Sequence, residues 1–85
     1  MKYVIFYKRS ASDELLLLPA NKALKVKSAI DKLAENPRPH GCVKLTGLVN
    51  EYRIRVGNYR IIYTIADSVL IVTVIRIAHR KDVYR

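Results

Sequence analysis

Three observations predict an α+β fold. A short β-branched and aromatic stretch opens the chain, two helix-like stretches follow, and the second half is a run of strand-like stretches. That order predicts an N-terminal strand and an antiparallel helical hairpin packed on one face of a mostly antiparallel sheet of four to five strands. With 85 residues, 51% of them apolar, the chain 1–85 is expected to form one domain with a thin core.

The first strand is "KYVIFY" (2–7), rich in residues that favour a pleated surface. "SASDELLLLP" (10–19) predicts a short helix with Ser10 as N-cap, Asp13 and Glu14 at the positive helix end, and Pro19 as the stop. Its four leucines are expected in the core. "NKALKVKSAIDKLAENP" (21–37) predicts a second helix, capped by Asn21 and ended at Asn36-Pro37. Ala23, Val26, Ile30, Leu33 and Ala34 fall on one stripe at helical spacing, while Lys22, Lys25 and Lys32 share a solvated face. After the loop "PRPHGC" (37–42), "VKL" predicts a short strand. "YRIRV" (52–56) alternates with period two, "GN" (57–58) signals a tight turn, and "YRIIYTI" (59–65) returns. "ADS" turns the chain again. "VLIVTVIRI" (69–77) reads as a central strand covered on both faces.

The bulk chemistry narrows the function. Sixteen Lys and Arg against seven Asp and Glu give a formal charge of +9, which attracts nucleic acid, an anionic surface or an acidic protein. The single Cys42 excludes an internal disulfide framework and the usual thiolate zinc spacing. The sequence has neither a membrane-length apolar stretch nor the pattern of a secretion signal, so a cytoplasmic protein is expected.

Basic residues gather in the second half. Alternation turns Tyr52, Ile54 and Val56 one way and Arg53 and Arg55 the other, roughly 7 Å apart, a spacing close to that of successive phosphates. Arg60 follows across the tight turn and adds a third cation near that surface. The last strand then leads into "IAHRKDVYR" (77–85), and its end is expected beside the Arg53/Arg55 face, bringing Arg76, His79, Arg80, Lys81, Tyr84 and Arg85. Cations with aromatic rings suit single-stranded nucleic acid. The same set suits RNA cleavage by attack of the ribose hydroxyl on the adjacent phosphate. Guanidiniums stabilise the charge on phosphorus, and His79 and Tyr84 are the members with accessible proton chemistry. No metal or other cofactor is required. His40, between Pro39 and Gly41, reads as an ordinary loop residue.

"KLTG" (44–47), "YRIRVGNYRIIYTI" (52–65) and "IRIAHRKDVYR" (75–85) together resemble the RelE group of the RelE/ParE toxin superfamily, and the resemblance spans the chain. It implies the toxin of a type II toxin–antitoxin pair that binds the ribosomal A site and cuts mRNA there. It also implies an acidic or amphipathic, RelB-like antitoxin that covers the basic site. Carried over, the catalytic positions are Arg53, Arg55, Arg60, Arg80 and Tyr84, joined by His79. Lys44, Arg76, Lys81 and Arg85 are further nucleic-acid contacts. The best-known member has lysines where this chain has Arg53 and Arg55. A guanidinium is a poor base, so His79, Tyr84 or the ribosomal RNA has to take the ribose proton. The competing readings are a ParE-like inhibitor of DNA gyrase and an inactive homologue that only binds antitoxin or nucleic acid.

Overall fold

The computed structural model describes residues 2–47 and 49–79. In chain order the elements are β1 (Val4–Tyr7), α1 (Arg9–Leu16), α2 (Ala20–Lys32), β2 (Val43–Lys44), β3 (Glu51–Val56), β4 (Tyr59–Ala66), a 3-10 turn (Asp67–Val69) and β5 (Ile71–His79). The five strands form one sheet in the order β1-β5-β4-β3-β2. β1 joins β5 in parallel and the remaining pairs are antiparallel. This is the expected α+β arrangement, with a mixed sheet. Among the described residues, no helix is long and apolar enough to cross a membrane.

The helices cover one face of the sheet. Val26, Ile30 and Leu33 of the α2 stripe are fully buried, against Ile61, Tyr63, Ile65, Val72 and Val74 from β4 and β5. The β3–β4 turn closes with Gly57 at φ 58° and no positive φ at Asn58, as a turn with glycine in its first central position requires.

Several local expectations need correction. α1 starts at Arg9, with Lys8 in the N-cap position, and neither helix has a side-chain cap. The Lys8 amide still bonds to Val74 of β5, so the chain leaves the sheet directly into the helix and Ser10 falls inside it. Pro19, not Asn21, occupies the N-cap of α2, and that helix ends at Lys32 rather than reaching Asn36-Pro37. Two of the four leucines are outside: Leu16 and Leu17 are 80% and 84% exposed, while Leu15 and Leu18 pack on the core. A period of 3.6 cannot turn four consecutive residues inward.

β5 is central in the sheet but covered on one face only among the described residues, and its alternation is interrupted. Tyr63 pairs with Val74 and Ile62 with Arg76, so Ile75 has no partner and forms a bulge. Beyond Tyr7 the outer edge of β5 has no strand beside it among the described residues. There Glu14 of α1 accepts the Ile77 backbone N–H at 2.8 Å, satisfying an edge donor that is partly buried.

Candidate nucleic-acid interface

The face of the sheet turned away from the helices carries the basic residues. Residues opposite each other in a ladder share a face. Arg55 pairs with Arg60 and Arg53 with Ile62, while Ile62 pairs with Arg76 on β5. Four arginines from three adjacent strands therefore lie in two neighbouring rows of one face. The buried partners of the alternation, Tyr52, Ile54 and Ile61, face the helices. Arg55 and Arg76 are exposed, Arg53 is half-buried and Arg60 is only 7% exposed. A face with this many cations attracts anions.

The bulge at Ile75 decides which members of β5 join this face. Strict alternation from Val72 and Val74 would turn Arg76 toward the helices and His79 toward the arginines. The extra residue inverts the phase. Arg76 then reaches the arginine face, and His79 pairs with Tyr59 on the helix side. The His79 and Tyr59 rings meet edge to face, with centroids 5.3 Å apart. His79 lines a small cavity with Lys22, Lys25 and Val26 of α2 and Asn58 of the turn. The expected meeting of His79 with Arg53 and Arg55 is thus corrected. Lys44 also departs: it pairs with Tyr52, while Val43 takes the position beside Arg53. Arg80, Lys81, Tyr84 and Arg85 lie outside the described residues.

A second set of residues braces the far end of the sheet. Arg38 donates to both oxygens of Asp67, at 3.2 and 2.8 Å, and its Nε donates to the Tyr52 hydroxyl at 3.3 Å. The Tyr3 hydroxyl donates to Asp67 at 2.6 Å. These bonds, first from Arg38 and then from Tyr3, hold the Asp67 pKa at about 2. Tyr63 donates to the Pro37 carbonyl at 2.7 Å, and burial pushes its own pKa up. Sequence reasoning passed over Arg38, because a lone loop Arg carries no periodic signal, and it set Glu14 at the start of α1, whereas the first turn of that helix holds no acidic residue and Glu14 accepts from β5 instead. Among the described residues, no group of three or more His, Cys, Asp or Glu is placed to hold a metal.

A groove on the helix side completes the geometry. Its apolar floor is Leu24, Ala29, Ile54 and Val56, and its basic rim is Lys25, Lys32 and Arg55. β2 pairs with only Arg53 and Tyr52, so the β3 edge from Ile54 to Val56 has no described strand beside it.

The sequence model described as "ParE toxin of type II toxin-antitoxin system, parDE" matches residues 5–84. The chain belongs to this toxin family. Within it the chain is a RelE-type toxin of the RelE/ParE superfamily. It is 31% identical to Toxin RelG of Mycobacterium tuberculosis over 86 residues, covering 100% of this chain and 99% of RelG. Among solved structures it resembles the archaeal RelE–RelB complex of Pyrococcus horikoshii, at TM-score 0.83 and 25% identity, covering 94% of this chain and 97% of that one. It also resembles the intact E. coli RelBE toxin–antitoxin complex, at TM-score 0.79 and 26% identity, covering 91% and 95% of the two chains. The arginine face is thus the open face of a RelE-type toxin.

Proposed function

We propose that this RelE-type toxin is a ribosome-dependent mRNA endoribonuclease that stops translation in the cytoplasm. The observation that carries the reading is the clustering of Arg53, Arg55, Arg60 and Arg76 on one open sheet face. In the proposed reaction a ribose 2′-oxygen attacks the adjacent phosphorus, the 5′-oxygen leaves, and a cyclic phosphate forms. The guanidiniums of Arg53, Arg55 and Arg60, with Arg80 of the family pattern, hold the extra negative charge that develops on the phosphoryl oxygens. A guanidinium is a poor general base, so the proton transfers fall to Tyr84 or to ribosomal RNA. His79 is not used, because it stands on the other side of the sheet from the arginines. Lys81 and Arg85 act as further phosphate contacts.

The proposed partner in restraint is an acidic or amphipathic antitoxin of the RelB kind. The two solved relatives named above are complexes with RelB. The groove beside the unpaired β3 edge combines an apolar floor with a basic rim, which fits such a segment.

Translation in a cell-free system, followed by mapping of mRNA 5′ ends, tests the reading. Codon-positioned cuts that disappear in Arg80→Ala and Tyr84→Phe are expected. The matching family description favours one second reading, a ParE-like poison of DNA gyrase. Intact mRNA together with trapped gyrase–DNA complexes would establish that reading instead.

A further inference from the structure

The open face is not uniformly basic. Its β3–β4 side carries arginines, while its β1 side carries Val4 and Phe6, 55% and 53% exposed. The register fixes their place. Phe6 pairs with Thr73, and Thr73 pairs with Thr64, which lies across from Glu51. Val4 pairs with Ile71 in the next row. Phe6 therefore sits one strand across and about one row along from Arg76, which puts their backbones roughly 10 Å apart. That is between one and two nucleotide steps of an extended single strand. Thr73, half-buried, stands beside Phe6 on the way to Arg76, and Thr64, also half-buried, continues that row one strand further on.

We propose that Phe6 is a base-stacking platform for single-stranded RNA whose phosphates lie on Arg53, Arg55, Arg60 and Arg76. A flat, solvent-facing phenyl ring on the surface of a sheet offers a π-face to any base, as sheet-based RNA readers do with their exposed aromatics. Phe6 adds nothing to the core from this position, because the helices bury the opposite face of β1. Charge complementarity selects the occupant. A face that is basic at one side and apolar aromatic at the other matches a chain with a charged backbone and stackable bases. The platform orients the strand without contacting the reacting atoms, so Phe6 is a positioning residue. The inference rests on the reading of the arginine face as an RNA site and extends it from phosphate binding to base binding.

The test compares two labelled probes by fluorescence anisotropy with the full chain. One is a single-stranded RNA heptamer with its 2′-hydroxyls methylated to block cleavage. The other is the matching abasic ribose-phosphate oligomer. Phe6→Leu is expected to weaken binding of the heptamer about tenfold and to leave the abasic oligomer within about twofold. Phe6→Trp is expected to restore heptamer affinity. Arg53→Ala/Arg55→Ala is expected to weaken both probes. Equal affinity of Phe6→Leu and wild type for the heptamer would overturn the platform, and the apolar shelf would then be a protein contact. Equal losses on both probes would overturn it as well, by showing a general distortion. If the arginine variant binds both probes normally, the underlying RNA reading fails, whatever Phe6 does.

Discussion

At the level of single residues, Asp67 and Tyr7 make opposite predictions. The Asp67 pKa is depressed to about 2 from an ordinary 3.8 by its bonds to Arg38 and Tyr3. Because the folded value is the lower one, the stabilisation is complete above the unfolded pKa. It is lost as pH falls through about 2. In Asp67→Asn the thermal midpoint at neutral pH should fall, and its further decline between pH 4 and pH 2 should be shallower than in wild type. Tyr7 is the reverse case. Its hydroxyl is buried with no hydrogen-bond partner among the described residues, and desolvation raises its pKa. Tyr7→Phe removes an oxygen that lost water and gained little. The urea midpoint should therefore rise, by about 1 kcal/mol in stability.

At the level of elements, the joint between α1 and β5 controls the sheet edge. Glu14 is the acceptor for the Ile77 N–H. Glu14→Ala should cost about 1.5 kcal/mol. Amide exchange should quicken at Ile77 while Val72, paired on both sides by β1 and β4, stays protected. The order of elements was legible in the sequence, because hydrophobic period separates helix from strand in nearly every segment. The strand pair 52–56 and 59–65 was legible down to the face of each arginine, because period two and a glycine turn leave one arrangement. The position of His79 was not. A bulge adds a residue without changing composition, and "VLIVTVIRI" is too uniformly apolar to show where the phase breaks. Helix starts were misplaced for a related reason. Ser10 and Asn21 have capping chemistry, but here β1 and Pro19 set where the backbone turns.

At the level of the whole molecule, the charge of +9 and the arginine face predict how binding responds to salt. Four arginine–phosphate contacts give a slope of about −3 for log affinity against log salt on single-stranded RNA. Titrations between 50 and 300 mM salt should show that slope (roughly a hundredfold loss), and each Arg→Ala on the face should reduce its magnitude by about 0.7. Binding of an antitoxin segment in the groove should respond less steeply, because its floor is apolar. A salt-independent RNA affinity would remove the electrostatic basis of the arginine face.

The unpaired Ile75 also bears on how relatives of this chain are compared. Odd and even positions of a strand are two separate inventories, one for each side of the sheet. A single inserted or deleted codon in β5 exchanges those inventories for every residue downstream, while changing a column-by-column identity score hardly at all. Two toxins of this kind can thus share most of their last strand and yet present different side chains on the open face. Pairing parity, rather than residue identity, is the quantity to match before transferring a role from one to the other.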